Sequence, residues 1–219
     1  MRVRNIAILG AVIIVLVVAA LFVFSYIAEE RAKTAKVNEL VNEGFIVLDS
    51  DPDEAIRLAL TARDIDAADL DARILLGRGL HEKKKYGDAA NVFIDALNDI
   101  EDLDFLPELS YHAGHAYLSL YHETKIADDW QKAFRFFSDA ANIGEHLVDA
   151  NVGLGLLYCY PDYFDGDMVV RYLERAFERE ADILGYPGSG EDGRCPNCKM
   201  EFKKKKEGLI DLYNRYAEK

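Results

Sequence analysis

The chain has 219 residues, 50% hydrophobic and 30% charged, with 39 acidic and 26 basic side chains and a formal net charge of −13. So much apolar side chain excludes disorder of the whole chain. Three cysteines exclude a disulfide scaffold, and the acid excess argues against a nucleic-acid partner, which demands a basic stripe. The charge divides into three zones. Residues 1–28 hold Arg2, Arg4 and no acid; residues 29–193 hold 16 basic and 35 acidic side chains; residues 194–219 hold eight basic and four acidic ones.

Ile6 to Ile27 is 22 residues without a charge, interrupted only by Gly10 and Ser25. At about 1.5 Å of rise per residue it reaches roughly 33 Å, the thickness of a bilayer's hydrocarbon core. The run is longer than the apolar core of a cleaved signal peptide, about 7–15 residues, so it is expected to be an uncleaved single-pass anchor within residues 1–28. Phe22, Phe24 and Tyr26 suit the passage from apolar core to interface. Arg2 and Arg4 precede the span, and Arg31, Lys33 and Lys36 follow it. The short basic head favours retention inside, which places the body on the extracytoplasmic side of the cell membrane. Residues 29–36 are expected to continue from the span as a short charged stalk.

After residue 28 the apolar residues recur at three and four, a helical period, with no useful strand alternation. The segment from Ala72 carries Leu76-Gly77, then Tyr86, Ala89, Phe93 and Ala96. Ala55, Ala59 and Ala62 precede Ala89, Phe93 and Ala96 by 34 residues; Ala133, Phe137 and Ala140, then Val169, Leu173 and Ala176, follow at offsets of 44 and 36. Gly44, Gly77, Gly114 and Gly155 recur ahead of them. This pattern resembles the tetratricopeptide repeat (TPR), a unit of about 34 residues with two helices. With Gly77 at the eighth position, Tyr86, Ala89, Phe93 and Ala96 fall at the family's positions 17, 20, 24 and 27, while Glu101 stands where a proline is usual.

The resemblance implies an all-α, TPR-like α-solenoid of about four helix-turn-helix repeats over residues 37–185, and the apolar run puts one transmembrane helix before it. A helical bundle with alanine-rich seams is the other reading of the same spacing. Asp51-Pro52-Asp53-Glu54 and Phe105-Leu106-Pro107-Glu108 read as helix starts, and Tyr160-Pro161-Asp162-Tyr163 as a break inside the fourth unit. The extra length of the third unit is expected between its helices, in the segment from Tyr121 to Trp130, with Asp128 or Asp129 capping the second helix. Trp130 stands where Tyr86 stands one unit earlier, which assigns it to packing.

In the family, the first helix of each pair lines a concave groove that takes a peptide or a partner helix. Carried over through Gly77, Gly114 and Gly155, the groove falls on Ile74, Leu75, Arg78, His81, Tyr111, His112, His115, Ser119 and Leu156. The lysine and asparagine pairs of a carboxylate clamp are lacking. His112 and His115, three apart on one face, have a spacing at which two imidazoles can share a metal, with His122 seven residues on and Cys159 on the next helix; two groove histidines are the plainer reading. No nucleophile motif or phosphate-binding glycine loop occurs, so no enzymatic activity is expected.

Residues 186–205 form a linker around the sequence GRCPNCKMEF. Its Cys195 and Cys198 resemble half of a zinc ribbon. One chain supplies two of four ligands, so a zinc site there implies a homodimer; a disulfide and a redox dithiol are the other readings. Residues 206–219 form an amphipathic helix with Leu209, Leu212, Tyr213 and Tyr216 in one stripe. The expected function is a membrane-anchored scaffold or assembly factor that holds a protein or peptide client. The alternative is a thiol- or metal-dependent maturation factor that uses the two tail cysteines.

Overall fold

The computed structural model describes the backbone of residues 2–100, 105–142 and 147–184, and the side chains of residues 18–100, 105–142 and 148–176. The expected linker, the Cys195 and Cys198 knuckle and the C-terminal helix lie outside them. Among the described residues there are helices and turns and no strand. The helices are α1 (Arg2–Val47), α2 (Pro52–Ile65), α3 (Leu70–Glu82), α4 (Tyr86–Asp99), α5 (Leu106–Thr124), α6 (Ala127–Ala141), α7 (Leu147–Leu157) and α8 (Gly166–Leu184), with a 3-10 turn at Pro161–Tyr163 between the last two. The chain divides into two compact units, residues 1–75 and 76–219.

In the first unit, α1 is one continuous helix of 46 residues. Every described side chain from Val18 to Lys36 is exposed, and burial begins at Val37. No break separates a span from a stalk: residues 29–36 stay helical, with Lys33 paired to Glu29 at 3.4 Å and Glu30 at 3.1 Å, and Lys36 to Glu39 at 2.9 Å. Such pairs one turn apart each add a few tenths of a kcal/mol to a solvated helix, about 0.2–0.5. Among the described residues no helix is long and apolar enough to cross a membrane; the side chains of residues 6–17 of the expected span lie outside them.

Asp51 stops the turn after α1 and starts α2. Its Oδ1 accepts the backbone N–H of Glu54 at 3.1 Å, and Pro52, Asp53 and Glu54 occupy the first turn, where a missing N–H is harmless and negative charge meets the positive end of the helix dipole. Val37, Leu40 and Val41 of α1 then pack with Leu58 and Ala62 of α2 and Ala72 of α3, flanked by Phe45 and Val47.

The second unit repeats one packing device. In α4, α6 and α8 the triplets Ala89, Phe93, Ala96, then Ala133, Phe137, Ala140, then Val169, Leu173, Ala176 are all 0–1% exposed. The central large residue of each lies against a glycine of a neighbouring first helix. Phe93 lies against Gly77 of α3; Phe137 is flanked by Gly114 of α5 and Gly153 of α7; Leu173 touches Gly155 of α7. A Cβ at Gly114 would stand 2.8 Å from Phe137 Cδ1, and one at Gly153 2.6 Å from its Cζ. Only a hydrogen lets the helices approach so closely.

The third unit departs from the expected turn. Tyr121 to Thr124 continue α5, which ends when Lys125 takes a left-handed conformation (φ 57°) with its N–H on the Tyr121 carbonyl. Tyr121 is 1% exposed, against Tyr160 and Tyr163, and its hydroxyl donates to Asp162 at 3.3 Å. That burial holds the extra turn in the helix. Neither Asp128 nor Asp129 is the cap of α6, which begins at Ala127; Asp129 instead accepts the Thr124 hydroxyl at 2.8 Å. Trp130 is 8% exposed, stacks on Tyr163 at 4.2 Å and donates its indole N–H to the Leu157 carbonyl at 3.1 Å.

Candidate functional site

The first helices of the second unit carry the candidate surface. Arg78 and His81 lie on α3, and Tyr111, His112, His115 and Ser119 on α5; all six are half-buried. Spacings of three and four residues put each set on one face of its helix. Each of these helices turns a fully buried glycine toward a second helix, Gly77 of α3 toward Phe93 of α4 and Gly114 of α5 toward Phe137 of α6.

Three polar atoms converge between α3 and α5. His81 Nε2 lies 2.9 Å from Ser119 Oγ and 3.1 Å from His115 Nδ1. The two imidazole rings meet edge to face with centroids 4.9 Å apart, and Tyr86 of α4 lies 4.9 Å from His81 on another side. The second nitrogen of His81, Nδ1, faces Glu82 Oε1 at 3.8 Å. Tyr111 stands beside His112 and His115, with centroids at 5.1 and 6.1 Å.

Burial holds the His81 imidazole below its usual pKa of 6.5; Glu82 pulls it partly back, and Arg78 adds to the depression. Burial also raises the Tyr86 phenol, with Glu123 and Glu82 acting in the same direction. Both shifts favour the uncharged forms of the His81 and Tyr86 rings, whose edges donate or accept hydrogen bonds and whose faces accept apolar or π contact.

Not every expected groove residue lies on this face. Ile74 and Leu75 are 1% and 0% exposed and belong to the core. Leu75 reaches over Gly44, whose absent side chain leaves the space it fills. A partner cannot touch them. Leu156 is half-buried on α7.

The histidine pairing also differs from the one the sequence suggests. His112 stacks on Phe93 at 5.3 Å with a 16° tilt, its Nε2 3.9 Å from Glu108 Oε1. His115 pairs across to His81, 34 residues away. The signal was present, since both fall on groove positions of successive units, but an along-helix spacing cannot report a contact between helices. His122 bonds the Tyr160 hydroxyl through Nδ1 at 3.1 Å, and the Cys159 thiol, in the turn after α7, donates to the Gly155 carbonyl of α7 at 3.5 Å. Among the described residues no group of three or more His, Cys, Asp or Glu is arranged to hold a metal.

The chain superposes on the crystal structure of MamA with a TM-score of 0.54, covering 71% of this chain and 85% of that one at 21% sequence identity. No family model matches the sequence, and no curated protein matches it. The helix pairs and this likeness together give the chain an all-α, TPR-like fold.

Proposed function

We propose that this protein is a membrane-anchored TPR-like scaffold or assembly factor that holds a protein or peptide client on the first-helix face of its repeats, without catalysis of its own. The observation that carries this reading is the half-buried row Arg78, His81, Tyr111, His112, His115 and Ser119 in a TPR-like fold whose second helices bury their small and large residues completely. Rings with polar edges are the side chains that dominate binding energy at protein interfaces, because they offer large contact area at low entropic cost. Residues 6–27 supply the anchor: Val18, Leu21, Phe22, Val23 and Phe24 of α1 are 57–77% exposed, a cost in water that lipid removes. The body stands on the extracytoplasmic side, and Cys195 and Cys198 form a zinc or disulfide pair in the tail.

A photo-crosslinking residue at position 111 of the full chain in native membranes tests the groove, with position 139 on the exposed side of α6 as control. One discrete client captured from 111 and not from 139, and lost on Arg78→Glu, is the expected result; equal capture from both positions, or none, overturns it. Resistance to carbonate extraction that disappears when residues 1–28 are removed tests the anchor. Protease access to a C-terminal tag in intact cells tests the side.

A further inference from the structure

We propose that His81 and His115, with the Ser119 hydroxyl beside them, form a site for one divalent transition-metal ion of the zinc and copper class, bridging α3 and α5. His81 Nε2, His115 Nδ1 and Ser119 Oγ come together from two helices, with His81 Nε2 2.9 Å from the hydroxyl and 3.1 Å from the second imidazole nitrogen. An sp² ring nitrogen has either one in-plane lone pair or one proton. Two close polar neighbours at Nε2 therefore oversubscribe it as a hydrogen-bonding atom, whereas a shared cation satisfies both imidazoles at once. In a tetrahedral site with bonds of about 2.0–2.1 Å the ligand atoms stand about 3.3–3.4 Å apart. The observed nitrogen pair needs to open by only a few tenths of an ångström.

The far side of His81 supports the same assignment. Histidine ligands commonly turn their other ring N–H toward a carboxylate, which fixes the tautomer and makes the ligating nitrogen more basic. Glu82 Oε1 stands 3.8 Å from His81 Nδ1, on the side opposite the cluster. The His81 side chain is 20% exposed, so water can complete the coordination sphere and the ion has a way in. Two imidazoles with oxygen ligands suit zinc, nickel and copper over magnesium or calcium, which prefer oxygen alone. Such an ion would tie two successive first helices together on the face assigned to the client.

The test uses the detergent-solubilised full chain with Cys195→Ser and Cys198→Ser, so that tail thiolates contribute nothing. Titration with Zn(II) by calorimetry is expected to show one ion per chain. His81→Gln and His115→Gln each lower the affinity at least tenfold, while His122→Gln leaves it unchanged. Electron paramagnetic resonance of the Cu(II) form of the same protein, with all histidines present, is expected to show two equatorial imidazole nitrogens. This second reading stands even if a glutamine variant fails to fold. Absence of stoichiometric binding, undiminished affinity in His81→Gln or His115→Gln, or fewer than two coordinated nitrogens overturns the site and leaves the pair as a hydrogen-bonded couple.

Discussion

The ring of Phe93 occupies the space where Gly77 lacks a side chain, so that α3 and α4 meet at a hydrogen atom. A methyl at position 77 would collide with that ring, which is 1% exposed and would have to shift within a close-packed interior. Gly77→Ala is therefore expected to destabilise the protein by about 1–3 kcal/mol, although alanine is the better helix former. Gly87, in the first turn of α4, has nothing within 4 Å of an added Cβ, and Gly87→Ala is expected to be neutral or stabilising by up to about 1 kcal/mol. Urea melts followed by circular dichroism check the pair; equal effects would contradict the close approach.

Trp130 is the chain's only tryptophan, and its indole N–H is committed to the Leu157 carbonyl. Trp130→Phe keeps a ring against Tyr163 but removes the shorter of two hydrogen bonds to the Leu157 carbonyl, which keeps the Tyr160 N–H at 3.5 Å, at a cost of about 0.5–1.5 kcal/mol. In the unmutated protein the tryptophan emission should be blue-shifted, resist iodide quenching, and move to the red in step with helix loss on unfolding. An emission maximum already at the solvent-exposed position in the native state would contradict its burial.

The second helices were legible from sequence because their constraint is local: a large residue flanked by smaller ones at helical spacing, repeated at 44 and 36 residues and preceded at 34 by an all-alanine triplet, marks a face that must be buried on close neighbours. The first helices were legible only in part. Ile74 and Leu75 occupy groove positions by register, but the first unit has Ala59 where the others have Phe93, Phe137 or Leu173, and Leu75 fills the space over Gly44. Register alone does not reveal such an exchange of volume. The run from Tyr121 to Thr124 reads as a polar turn, yet one buried tyrosine keeps it helical. The pairing of His81 with His115 depends on which side chains two helices turn toward each other, a property that no one-dimensional spacing encodes.

Asp51 gives α2 its start through one bond, from the Glu54 N–H to its Oδ1. Asp51→Ala leaves that N–H without a partner from the protein and is expected to cost about 1 kcal/mol, while Asp51→Asn, which keeps the acceptor, costs a few tenths. Thermal melts of the two variants separate the cap from a pure charge effect. A loss of equal size in both would assign the contribution to the charge at the helix terminus and not to the hydrogen bond.

His81 makes stability depend on pH in a direction that follows from its surroundings. Burial lowers its folded pKa below 6.5 and Arg78 adds to this, with Glu82 opposing, so the unfolded chain binds the proton more tightly. The stabilisation is fully present above pH 6.5 and is lost as the pH falls through the lowered folded value. In the presence of a chelator, which removes any bound metal, the melting temperature of the unmutated protein should fall between pH 7 and pH 5 more steeply than that of His81→Gln, which cannot titrate. Glu82→Gln removes the opposing charge and should move the His81 midpoint further down. Histidine resonances followed by NMR read that midpoint directly. A folded value at 6.5 would remove the dependence and one above it would reverse its sign, and either would contradict the burial of His81 against Tyr86 and His115.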